Sequence, residues 1–174
     1  MSAIKIGFTR VAKTFGELKN YQGISLFLVA YFLFNDAITT VIYYASIYGV
    51  EVFAFDVASI LIFFAVVQLA AIPGAYIFGY IADKINTKPT LMITLLIWIL
   101  ALGLAYFGTD QIVWWITGMI AGVGMGSAQS TARSMYGQYI PEEKKSEMFG
   151  FYALTGKVAA IFGPLMYASV LLYF

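Results

Sequence analysis

Three ionisable side chains stand inside stretches that are otherwise strongly apolar: Asp36, Arg133 and Lys157. A carboxylate placed deep in hydrocarbon is costly, so Asp36 reads either as a functional group that meets solute or couples a proton, or as a structural acid, ion-paired or protonated and hydrogen-bonded. Asn35, Thr39 and Thr40 supply hydrogen-bonding groups beside it. Lys157 is open to the same two readings, or to snorkelling toward an interface along its own stem. Arg133 has Gln129 four residues before it, on the same helix face, with Ser130 and Ser134 in a parallel strip. A guanidinium there suits bidentate capture of a carboxylate, and equally suits lipid headgroups or the capping of a loop. Other chemistries are closed off by composition. The chain has no His and no Cys, which removes Ser-His triads, imidazole relays, His-ligated zinc and thiolate sites. No metal or cofactor is expected. A Ser-Lys arrangement around Lys157 is the one enzymatic reading left, and it is the weakest of those open.

The elements that carry these residues follow from hydropathy. Of 174 residues, 61% are hydrophobic and 11% charged, with a net charge of +1 and a mean hydropathy of +0.85. A soluble domain is roughly half apolar and about a quarter charged, so a soluble enzyme and a disordered chain are disfavoured. Near-zero net charge argues against nucleic acid as a partner. The expectation is an all-α polytopic membrane helix bundle with the lipid bilayer as its solvent. A spanning helix needs roughly 20 mostly apolar residues. About five stretches qualify: 24–48, 57–82, 90–108, 112–140 and 148–174. The third is the most uniformly apolar and reads as a plain lipid-facing wall. The second half of the fourth is unusually polar. Asp36 then lies about 18 Å and Lys157 about 15 Å into their spans at 1.5 Å per residue. The matched depths suggest a pair, or two ends of one polar cavity. With Arg133 in the same cavity the buried charges would sum to plus one and favour an anionic group.

Residues 1–22 differ. Lys5, Arg10, Lys13 and Lys19 alternate with Phe8, Val11, Phe15 and Leu18 at helical spacing. This leader reads either as an amphipathic helix on the membrane surface or as a solvated segment. Residues 23–174 form the transmembrane bundle. Lys/Arg placement orients it. Four precede the first span, Lys84 and Lys88 lie between the second and third, and Lys144 and Lys145 between the fourth and fifth; the remaining connections hold none. Positive loops stay cytoplasmic, so the N-terminus and both basic loops are expected inside an integral membrane protein, in bacteria the inner membrane. The chain also stops inside an apolar stretch, which suggests a fragment or a split gene product.

Gly122, Gly124 and Gly126 form G-x-G-x-G, but no strand precedes it, so close helix packing is the reading rather than a nucleotide loop. Pro73-Gly74 and Gly163-Pro164 read as kinks or hinges. The most specific motif is Gly79-Tyr-Ile-Ala-Asp83-Lys84, followed by Asn86 and Lys88. Its G-x-x-x-D-[RK] spacing, in a cytoplasmic loop between the second and third spans, resembles the signature loop of the major facilitator superfamily. The resemblance implies that Gly79, Asp83, Lys84 and Lys88 form a gating loop whose acid latches one conformational state.

The rest of the chain narrows the likeness. Tyr31 to Asp36, Gln68 with Ile72-Pro73-Gly74, Gln129 to Ser134, and Phe149 to Pro164 together resemble the vacuole-effluxer-like family, the autophagy-related amino-acid effluxers of fungal vacuoles and their bacterial relatives. The likeness runs from about Tyr21 to the end. It implies helices seven to eleven of a twelve-helix transporter, the C-terminal half without its last helix, with a missing N-terminal six-helix half or a second copy as partner. The implied function is secondary transport of a small polar solute, an amino acid or similar metabolite. Asn35, Asp36, Gln129, Arg133 and Lys157 would then contact the small-molecule substrate or couple its movement. The competing reading is a non-transporting accessory membrane protein.

Overall fold

The computed structural model describes Gly16 and residues 21–173, with side chains as far as Val170. Apart from Gly16, Tyr21 and Gln22, the basic amphipathic leader lies outside the described residues. Among these, the secondary structure is all helical: α1 (Gln22–Phe53), α2 (Val57–Lys84), α3 (Thr87–Phe107), α4 (Gln111–Tyr139), a 3-10 turn (Glu142–Lys144) and α5 (Lys145–Tyr173). Four of them, α1, α2, α3 and the helical stretch that contains α5, are long and apolar enough to cross a membrane. The exception, α4, has the length, at 29 residues. Its Gly, Ser, Thr and Gln content makes it less apolar. The chain is thus a polytopic membrane helix bundle.

Three of the helices start on a side-chain cap. Asp56 caps α2, its Oδ1 accepting from the Ser59 N–H at 2.9 Å. Asn86 caps α3 in the same way, accepting from the Lys88 N–H at 3.1 Å. Pro89 falls in the first turn of α3, where N–H groups have no helical acceptor in any case. Asp110 accepts from the Ile112 N–H at 2.7 Å and opens α4. The bend after α1 contains Ala54 with φ 51°, a left-handed conformation unusual for a residue with a Cβ. The helices run unbroken through Pro73 and Pro164. Helix α1 also runs past the span expected from hydropathy, through Gly49 and Glu51 to Phe53.

The described residues divide into two compact units, one of residues 21–41 with 136–173, the other of Ile42–Met135. The first is cored by aromatic rings. Tyr31 stacks on Tyr152 with ring centroids 4.2 Å apart, and Phe27 meets Tyr136 at 5.4 Å. Tyr136 is fully buried and its hydroxyl donates to the Met148 carbonyl at 2.9 Å. An apolar crevice of about 470 Å³ opens between α1 and α5, lined by Ser25, Leu28, Val29, Phe32, Phe151, Leu154, Thr155 and Val158.

The second unit is built on glycine. Gly118, Gly122 and Gly126 recur every fourth residue on one face of α4. A Cβ on Gly118 would strike the Phe63 ring; on Gly122, the Val67 carbonyl; on Gly126, the Ala71 carbonyl. Gly74 answers from α2, where a Cβ would lie 2.9 Å from Val123 Cα. Small residues thus bring α2 and α4 into backbone contact, as membrane helices do when burial alone gives no drive to associate. Gly124 turns the other way, onto Trp98 of α3. Packing is therefore the role of the glycine motif, but with a period of four that the G-x-G-x-G reading does not capture. The face of α3 carrying Thr87, Thr90, Leu91, Thr94, Trp98 and Ala101 is buried, so only its other side serves as the wall expected from hydropathy. At one end of the unit Phe55, Phe63, Val67 and Trp114 form a buried cluster.

Candidate functional site

In the first unit, α1 and α5 bring six polar or small residues together. Asn35 donates through Nδ2 to the Gly156 carbonyl at 3.2 Å. Thr39 bonds back to the Asn35 carbonyl at 2.8 Å. Beside them in the chain, Asp36 Oδ1 and Thr40 Oγ1 are buried and meet no hydrogen-bond partner. Both face Gly163: each lies under 3.0 Å from where a Cβ on that glycine would be. The approach of α1 to α5 is possible because positions 156 and 163, seven residues apart and so on one helix face, carry no side chain. Tyr31 uses the same opening, its hydroxyl 2.8 Å from the Cβ position of Gly156.

Lys157 does not join this cluster. It follows Gly156 directly, about 100° further round the helix, and its side chain is exposed. No ion pair links it to Asp36; the bridge formed among the described residues is Lys145 to Glu142, at 2.6 Å on the surface. Matched depth therefore does not make a pair here, because the faces differ.

Gln129 and Arg133 belong to the second unit and are both exposed on one face of α4. Ser130, half-buried, has its Oγ 3.4 Å from the Cβ position of Gly79. Asp83, Lys84 and Lys88 are exposed at the short connection between α2 and α3. Lys84 Nζ sits 5.4 Å above the Tyr80 ring, and Asp83 makes no ion pair among the described residues. Pro73 is exposed and Gly74 buried. No group of three or more acidic residues gathers among the described residues, so no divalent-metal cage is present there.

Thr40 and Gly163 are the residues that sequence reasoning undervalues. Thr40 lies one turn after Asp36, and Gly163 precedes a proline; those spacings are the signal, but only the packing shows that they meet.

A bundle of long apolar helices, with polar groups held at helix contacts, defines a polytopic membrane protein. Residues 1–171 match the family model described as "Vacuole effluxer Atg22 like", and the chain belongs to that family. Among curated relatives it is 32% identical over 161 residues to the "Uncharacterized MFS-type transporter YxiO" of Bacillus subtilis (strain 168), covering 92% of this chain and 37% of that protein. It is 25% identical to "Autophagy-related protein 22" of Coccidioides immitis (strain RS), covering 98% of this chain and 31% of the relative. It is 29% identical to "Autophagy-related protein 22-1" of Penicillium rubens, covering 92% and 29%. The chain thus spans roughly a third of the length of these relatives. No solved structure matches it. The family is one of transporter-type membrane proteins.

Proposed function

We propose that this chain supplies helices seven to eleven of a major-facilitator-type secondary transporter that moves a small polar solute, an amino acid or similar metabolite, across the membrane. The observation that carries the reading is the family match across residues 1–171, whose description names efflux. The geometry supports it with a half-buried carboxylate, Asp36, held within a helix contact and left with an unsatisfied oxygen. A structural acid would be expected to have its partner beside it.

In this reading the N-terminus and the loops at Asp83 and Glu142 are cytoplasmic. Asn35, Asp36, Gln129, Arg133 and Lys157 line the solute path. The path is completed by an N-terminal six-helix half or a second copy of the chain, since transport sites of this kind lie between two repeats. Asp83, Lys84 and Lys88 act at the gating loop, and the Pro73-Gly74 and Gly163-Pro164 steps allow the helices to bend.

Uptake of a radiolabelled amino-acid mixture into proteoliposomes tests the proposal. The 174-residue chain alone is expected to give no more than empty liposomes. Co-reconstituted with the N-terminal half of the Bacillus subtilis relative, it is expected to give saturable uptake. Uptake by the chain alone would make it a dimeric half-transporter. No uptake in either case, with both parts folded and associated, would favour an accessory role.

A further inference from the structure

We propose that the Asp36–Thr40 turn of α1, where it faces Gly163 of α5, binds one small monovalent cation.

The first observation is a missing partner. Asp36 Oδ1 and Thr40 Oγ1 are buried, stand one turn apart on one face, and accept no hydrogen bond. Buried polar atoms in native proteins almost always have a partner, and no hydrogen bond joins these two to each other. The second is convergence. Both oxygens lie under 3.0 Å from the Cβ position of a single residue, and that residue is glycine. Any other side chain at position 163 would collide with both oxygens.

The third is charge. The donors nearest in sequence are committed elsewhere, Asn35 Nδ2 to Gly156 and Thr39 to the Asn35 carbonyl. Lys157 is exposed and forms no bridge to the carboxylate. Asp36 therefore lacks a cationic partner among the described residues. A carboxylate and a hydroxyl oxygen, both without a donor, favour a positive charge. One carboxylate fits a monovalent species; a divalent ion takes six or more oxygens and usually several acids. Asp36 is only half-buried, which leaves a way in.

Two sources share this chemistry, an alkali ion and the ammonium group of an amine-bearing solute. What the cation does depends on the transporter reading; whether it binds does not. The chain, purified in sodium-free detergent micelles, would be melted in choline, potassium, sodium and methylammonium chloride at equal ionic strength. Sodium or methylammonium is expected to raise Tm by about 2–4 °C at saturating concentration over choline. Both Asp36→Asn and Thr40→Val should abolish the rise. A sodium response identifies an inorganic ion; a methylammonium response without sodium identifies the solute's amine. Should Asp36→Asn not fold, Asp36→Glu takes its place, the displaced oxygen moving the rise to higher cation concentration. No rise in the unmodified chain, or a rise that survives the Asn variant, overturns the site. Failed uptake in liposomes with an intact sodium response would sink the transport reading and leave the site standing.

Discussion

Replacing Gly126 by alanine tests the packing of α2 against α4 most directly. The new Cβ would run into the Ala71 carbonyl oxygen, with the carbonyl carbon at 2.8 Å and the Cα at 3.0 Å. These are backbone atoms, so no rotamer change relieves the contact and the helices must separate. Overpacking of this kind costs about 1–3 kcal/mol. Helix propensity works the other way, since Ala is favoured over Gly by about 0.8–1.0 kcal/mol. The net expectation is a destabilisation of up to about 2 kcal/mol, which is the difference of those two ranges. Gly103 is the internal control: it lies within α3 and a Cβ there meets nothing within 4 Å. Gly103→Ala should therefore keep the propensity gain and melt at or above the parent. In detergent micelles, with about 2–4 °C per kcal/mol at this size, Gly126→Ala should melt several degrees below Gly103→Ala. Gly122→Ala should behave like Gly126→Ala, and the double variant should lose less than the sum, because the first methyl already opens the seam. If Gly126→Ala melts with or above Gly103→Ala, the α2–α4 backbone contact is wrong.

Three further outcomes can be measured. Ala54→Gly should raise Tm slightly: it removes a left-handed alanine at φ 51°, worth about 1–2 kcal/mol, less the extra freedom of glycine in the unfolded chain, about 0.4–1 kcal/mol. Asp56 is held below its ordinary carboxylate value of 3.8 by hydrogen bonds from the Ser59 side chain and backbone. Its contribution is thus present above that value and lost as pH falls toward the lowered folded value; Asp56→Asn should flatten that part of the acid-melting profile, and an unchanged profile would count against the cap. Single cysteines placed at Glu51, Asn86 and Asp110 of this Cys-free chain should label from outside at 51 and 110 but not at 86; the reverse pattern would invert the proposed orientation.

Hydropathy locates every described span to within a few residues, because a long apolar run has few alternatives in water or lipid. It misplaces the end of α1 because Gly49 and Glu51 look like a loop, whereas the helix continues to Phe53 and the Phe55 N–H closes back on the Gly49 carbonyl at 3.1 Å. Side-chain depth is legible for the same reason: it follows from counting residues. Azimuth is not. Whether Asp36 meets Lys157 depends on which face of α5 approaches α1, and that is decided by the absence of side chains at Gly156 and Gly163. Glycine carries no hydropathy signal strong enough to reveal this. The same limit hides the Gly118-Gly122-Gly126 seam behind the more conspicuous G-x-G-x-G, two of whose glycines face α2 while the third faces Trp98.

The charged residues divide into two kinds, and the division bears on function. Asp36 is half-buried at a helix contact, whereas Arg133 and Lys157 are exposed on the surfaces of α4 and α5. An Arg or Lys inside a membrane span does not sit stably against lipid tails; it faces protein or a water-filled cavity. Gln129 shares the face of Arg133, which makes that face of α4 polar over a full turn. These surfaces are therefore unsuited to lipid and suited to a wet path or to further protein. The apolar surfaces bearing Leu61, Leu69, Leu96 and Ile99 are suited to lipid. A transporter needs both kinds of surface on one set of helices, one to hold it in the bilayer and one to line the route through it.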